Sequence, residues 1–144
     1  MASPTKEIKK ALPQPNSDFY QLVETLPAEE LAVVKQVRTF METKVQPIIT
    51  KYWVEDSFPF ELLPGIKELN LGGVGLEGYG CRGGGGLLAG LVAMEMGRID
   101  ASISTFFGVH SGLAMSSIYY GGWKSKNRSG FRRWLAWRRS DASV

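Results

Sequence analysis

An all-α fold is predicted for this chain of 144 residues. Three observations predict it. Apolar residues recur every three or four positions in several separate stretches, which is the helix period. No stretch alternates apolar and polar residues in the manner of a half-buried strand. Helix-start residues (Pro27, Asp100) stand just ahead of two of the periodic stretches. With 44% hydrophobic and 22% charged residues, the composition fits one domain with a modest core. No run approaches the roughly 20 apolar residues that a membrane helix needs.

The elements follow in order. Residues 1–18 are polar, carry Pro4, Pro13 and Pro15, and read as a flexible arm. They hold no apolar core of a secretory signal. From Pro27 to about Ile49, Leu31, Val34, Val37, Met41, Val45 and Ile48 mark a helix face. Pro27 suits a first helical turn, and Glu29 and Glu30 sit where the positive helix end favours acids. Pro47 is expected to kink or end this helix. A shorter helix is predicted over Phe58–Leu69, with Phe60, Leu63, Ile66 and Leu69 on one face. Residues 70–86 are glycine-dense and read as a loop. Leu87–Arg98 reads as a third helix, with Leu87, Leu91 and Met94 as its stripe. Asp100 caps a fourth, which runs to about Ile118 and is rich in Ala, Ser and Gly. Small residues there allow close approach of a neighbouring helix or of a ligand, and both readings stand.

Few residues point to chemistry on their own. The loop from Gly78 to Gly86 precedes a helix, an arrangement that cradles phosphate in some proteins. No strand precedes it and no Gly-Lys-Ser/Thr follows, so a connecting loop is the favoured reading. His110 is the lone histidine. Without a second histidine or a cysteine pair no metal site is expected, and His110 reads as packed or partly exposed. Glu95 and Arg98 are three apart and read as an ion pair on a helix surface. The single cysteine, Cys81, makes no internal disulfide and reads as a small hydrophobe. No Ser/His/Asp set can be assembled.

Longer motifs are more specific. Phe58-Pro-Phe-Glu-Leu62, Gly75-Leu-Glu-Gly-Tyr-Gly-Cys81, Met94-Glu-Met-Gly-Arg-Ile-Asp100 and the run from Ala101 through Ser111 recur together in one family. On these residues, positions 19–118 resemble the N-terminal helical domain of acyl-CoA dehydrogenases and oxidases. The likeness runs nearest to the plant peroxisomal short-chain acyl-CoA oxidases, with glutaryl-CoA dehydrogenase as a cousin. The resemblance implies FAD, an acyl-CoA substrate and a homo-oligomer. It implies a glutamate that takes the α-proton, hydride transfer from the β-carbon to the flavin, and a trans-2-enoyl-CoA product. Oxidases then pass the electrons to oxygen. The family's flavin contacts and catalytic glutamate lie mostly in later domains, so no catalytic or cofactor-binding residue is assigned here. The resemblance implies that Ser104, Phe107, Gly108 and Ser111 lie on the helix turned toward the acyl group. Ser104 aligns with a carboxylate-binding arginine of glutaryl-CoA dehydrogenase, which argues against a dicarboxylic substrate.

The resemblance stops near Tyr119. Residues 1–118 carry 10 Lys+Arg and 13 Asp+Glu, whereas residues 119–144 carry 7 basic residues and one acid. The net charge of +3 therefore belongs to the tail. Read one base out of register, Trp123 and Lys124 give GAA, a glutamate codon. Permitted codons continue it as Glu-x-Gln-Lys-Gln-Lys-x-Leu-Pro-Ser-Leu-Ala, the family's sequence at this point. Residues 119–144 are thus expected to be a frameshifted, aberrant basic tail, from a damaged gene, an altered splice or a misread gene. A tail function on nucleic acid or an anionic membrane is the lesser reading of its interleaved Arg and Trp residues, and neither partner is expected. The family implies a peroxisomal location. The final Asp-Ala-Ser-Val is not a peroxisomal signal, so a cytoplasmic product is also expected. Alone, the chain is expected to be a partial helical bundle without activity.

Overall fold

The computed structural model describes residues 17–121. The predicted arm over residues 1–16 and the basic stretch from residue 122 lie outside the described residues. Among the described residues the fold is helical, and its one β pairing is an isolated bridge between Val74 and Gly83. Asp18, at the predicted edge of the arm, is buried. Its carboxylate accepts the backbone N–H groups of Leu22 and Val23, each at 2.8 Å, and so caps a short 3₁₀ turn.

The first long helical stretch comprises α1 (Ala28–Phe40), a π-helical segment (Met41–Val45) and α2 (Gln46–Val54). Pro47 neither ends nor breaks it. A proline lacks an N–H and crowds the carbonyl four residues back. The wider π turn lies just ahead of Pro47 and loosens the ladder there, so Pro47 occupies the opening turn of α2. The π turn also moves the inward face. Val33, Val34, Val37, Met41 and Val45 are buried, and the next inward residue is Ile49, not Ile48.

The predicted second helix is shorter than its apolar pattern. A 3₁₀ turn (Phe60–Leu62) leads into α3 (Leu63–Glu68). Leu62 and Ile66 are buried, whereas Phe60 is 56% exposed. Pro64 sits in the opening turn of α3, where its missing N–H costs no helical bond, and the regular helix runs for six residues. The loop that follows is tied across itself: the Gly75 N–H donates to the Gly83 carbonyl at 2.9 Å, and the Arg82 N–H to the Gly72 carbonyl at 2.8 Å.

α4 (Gly86–Ile99) packs on α1 and on α5 (Ala101–Phe107). Its inward stripe is Leu88, Leu91, Val92, Glu95 and Met96; Leu87 lies off it, 39% exposed. α5 continues through a π-helical segment (Gly108–Ala114) into α6 (Met115–Gly121). The main core joins α1, α4 and α5, and a smaller cluster of Leu76 and Met115 lies beneath the glycine loop. The cap at Asp100 forms as predicted: its Oδ1 accepts the Ile103 N–H at 2.6 Å and its Oδ2 the Trp53 indole N–H at 2.9 Å. Asp100→Ala is expected to cost about 1–2 kcal/mol. Thermal unfolding checks this, and Trp53 emission should shift in the folded state as the indole loses its partner.

Candidate functional site

The helical rod from Ala101 to Gly121 carries all four residues predicted to line a pocket, and the structure separates them. Ser104 is half-buried on the α4 side, where its hydroxyl donates to the Ala93 carbonyl at 3.3 Å. Phe107 is 5% exposed and belongs to the core. Ser111 is 3% exposed. Its hydroxyl accepts the Gly73 N–H at 3.1 Å and donates to the Leu71 carbonyl at 3.4 Å, which stitches the rod to the glycine loop. Gly108 alone of the four lies on the open face. That face continues through Val109, Gly112 and Leu113. A Cβ added at Gly108 or Gly112 would meet no atom within 4 Å. The rod thus has an inner face that builds the fold and an outer face of small and apolar residues with room above it.

His110 is half-buried and stacks on Phe106, with ring centroids 6.4 Å apart and planes 21° from parallel. This matches a packed residue. Among the described residues no group of three or more His, Cys, Asp or Glu side chains could hold a metal ion. Cys81 is half-buried beneath the loop, and burial pushes its thiol up from the ordinary range, away from nucleophilic thiolate character.

The glycine loop does not present a free anion site. A Cβ at Gly84 would stand 3.3 Å from Glu30 Oε1, so a carboxylate from α1 already faces the start of α4. A phosphate there would meet a like charge. The glycine loop therefore does not fit the pyrophosphate of a flavin, and no chemical step is derived through that group.

Sequence reasoning missed a buried charge network. Glu95 and Arg98 do pair, Oε2 to Nε at 3.1 Å, but within the fold: their side chains are 1% and 3% exposed. Arg38 from α1 donates from Nε to Glu95 Oε2 at 3.0 Å and from Nη2 to Oε1 at 2.5 Å. Arg98 Nη2 in turn donates to Glu42 at 2.5 Å. The surface reading fails because Glu95 lies on the inward stripe, four residues after Leu91 and three after Val92. That spacing was the available signal.

A groove of about 670 Å³ opens between α1 and α3 and shares no lining residue with the four predicted pocket positions. No helix of the described residues is long and apolar enough to cross a membrane.

The comparisons with known proteins agree with this architecture. The sequence pattern described as Acyl-CoA dehydrogenase, N-terminal domain, matches residues 27–129. A glutaryl-CoA dehydrogenase from Mycobacterium smegmatis in complex with FADH2 superposes with a TM-score of 0.72 at 29% identity, over 83% of this chain and 30% of that one. A second structure of glutaryl-CoA dehydrogenase from that organism gives 0.71 at 28% identity, over 78% and 30%. This chain therefore spans about 30% of the length of the glutaryl-CoA dehydrogenases it matches. Because the family pattern covers most of its length, the chain belongs to the acyl-CoA dehydrogenase family, through that family's N-terminal helical domain.

Proposed function

We propose that this chain supplies the helical wall beside the acyl group in an FAD-dependent enzyme that desaturates short, straight acyl-CoA thioesters to trans-2-enoyl-CoA. The observation that carries this reading is the outer face of the rod. Gly108, Val109, Gly112 and Leu113 present an apolar surface with open space above the glycines, on the helix that follows the family motif. Such a face suits an alkyl chain and offers no ionic partner to a second carboxylate. Ser104 supports a monocarboxylic substrate. Its short neutral side chain is turned to the Ala93 carbonyl.

The family's flavin supplies the hydride acceptor when bound. The described residues supply no base and no cradle for it, so both would come from other domains. The isolated chain is accordingly proposed to be inactive, and a peroxisomal role is proposed from the family alone. Purified chain is expected to be colourless and to leave butyryl-CoA unchanged. A yellow preparation that forms crotonyl-CoA would overturn this. A second reading, a non-catalytic fragment that docks on full-length subunits, is favoured by the exposure of Val109 and Leu113, at 50% and 66%. Co-purification with a full-length homologue, against a control carrying residues 119–144 alone, separates the two.

A further inference from the structure

The rod keeps one line of buried residues for longer than an α-helix can. Ile103, Phe107, Ser111 and Met115 are buried and stand four positions apart. An α-helix turns about 100° per residue, so each four-residue step overshoots a full turn by about 40°. Over three steps the drift is about 120°, enough to carry Met115 off the inward face. Yet Met115 is fully buried beneath the glycine loop, in the cluster with Leu76, while Ile103 and Phe107 lie in the main core. The π-helical segment Gly108–Ala114 removes the drift. The Met115 N–H donates to the His110 carbonyl, five residues back, and shares its hydrogen with the Gly112 carbonyl. One residue thereby adds length without turn, and the mismatch along the line falls to about 20°. The first helical stretch repeats the pattern. Val37, Met41, Val45 and Ile49 are buried at the same spacing, and the Gln46 N–H donates to the Met41 carbonyl, again five residues back.

We propose that the π turn of the rod is a one-residue insertion that opens its outer face. The turn holds Ile103, Phe107, Ser111 and Met115 in line and puts the surplus residue outside. Gly112 is exposed there, and a Cβ added to it would meet no atom within 4 Å. The Ser111 hydroxyl, bonded to the Gly73 N–H and the Leu71 carbonyl, anchors the widened turn from within. Single π turns of this kind are rare and concentrate at functional sites. The proposal is independent of the acyl-CoA reading. Where that reading holds, the surplus residue is what leaves room above the wall.

The test compares two one-residue deletions in the full chain. Deleting Gly112 should collapse the π turn into plain α-helix. Ile103 and Met115 stay inward, and the Met115 N–H and His110 carbonyl, then four apart, form an ordinary helical bond. Deleting Ala93, equally exposed but within the regular helix α4, should turn the two halves of α4 about 100° against each other and break its inward stripe. The Gly112 deletion is expected to keep a cooperative thermal transition within about 10 °C of the parent chain, a modest loss because Ser111 turns partly off the line. The Ala93 deletion is expected to lose the transition. In the Gly112 deletion the Met115 amide should stay protected from exchange, and carbonyl chemical shifts over residues 108–114 should move to α-helical values. Gly112→Ala keeps the residue count and should keep the parent shifts. A transition lost in both deletions, or kept in both, overturns the proposal, as does an unprotected Met115 amide in the Gly112 deletion. So do α-helical shifts in Gly112→Ala, since the glycine and not the surplus residue would then make the turn.

Discussion

Glu95→Ala is expected to remove about 3–5 kcal/mol of folding stability, read as a fall in the urea midpoint at unchanged slope. The size follows from what is stranded. Arg98 is 3% exposed and would lose its ion pair with Glu95 while its bond to Glu42 remains. Arg38 matters less: its side chain is 42% exposed, so water can replace part of what it loses. Glu95→Leu combined with Arg98→Met should recover most of the loss, since an apolar pair of similar volume avoids desolvating two charges. A loss below about 1 kcal/mol for Glu95→Ala would mean that the network adds little. The pH dependence has a defined sign. Burial alone would push the Glu95 carboxyl up, but the hydrogen bond and charge of Arg38, joined by Arg98, outweigh it and hold the group below its usual value. The folded protein thus binds this proton less readily than the unfolded chain. The contribution is complete above the unfolded value, near pH ~4.3, and is lost as pH falls through the lower folded value. Glu95→Gln should flatten that acid limb.

The same residue shows how far the sequence could be read. Helix positions follow from apolar spacing, so α1, α4 and the rod from Ala101 were legible, and Asp100 was legible because a cap is a local event. The inward side of each helix was less so. In α4 both Leu87 and Leu88 are candidates, and α1 decides for Leu88. Glu95 was misread because Arg38, which reaches it from α1, and Glu42, which pairs with Arg98, come from a helical stretch more than fifty residues away. The π-helical segments have no compositional mark. Their extra residue per turn shifts the inward face from Ile48 to Ile49. For the candidate site, the resemblance implied that Ser104, Phe107, Gly108 and Ser111 lie on a helix turned toward the acyl group. The structure gives Phe107 and Ser111 to the interior and Gly108 to the outside. Which side of the rod faces outward depends on α4 and the glycine loop, to which Ser104 and Ser111 are bonded.

Gly73→Ala is expected to cost roughly 2–5 kcal/mol, and it tests how that rod is held. Two independent terms act at this position. Gly73 has φ +67°, in the left-handed region where a residue with a Cβ pays about 1–2 kcal/mol. The new Cβ would also lie 2.5 Å from Cys81 Sγ and 2.7 Å from Cys81 Cβ. Neighbours must move, and overpacking of this kind costs about 1–3 kcal/mol. The Cys81 backbone is pinned by its N–H to the Gly78 carbonyl at 2.9 Å, so the thiol cannot simply withdraw. Cys81→Gly in the same chain should recover the packing term and leave the conformational one. Equilibrium unfolding of the single and double variants separates the two. The effect should reach the rod, because the Gly73 N–H is the donor to Ser111 Oγ. Amide exchange at Gly73 should accelerate in Gly73→Ala and, without any steric clash, in Ser111→Ala. If Ser111→Ala leaves the protection of Gly73 unchanged, the loop is held by the Gly75–Gly83 and Arg82–Gly72 bonds alone, and the stitch to the rod is incidental. If protection falls in both variants, the glycine loop sets the depth at which Gly108 and Gly112 present their open face, and a change more than thirty residues upstream would alter the wall that the acyl chain is proposed to meet.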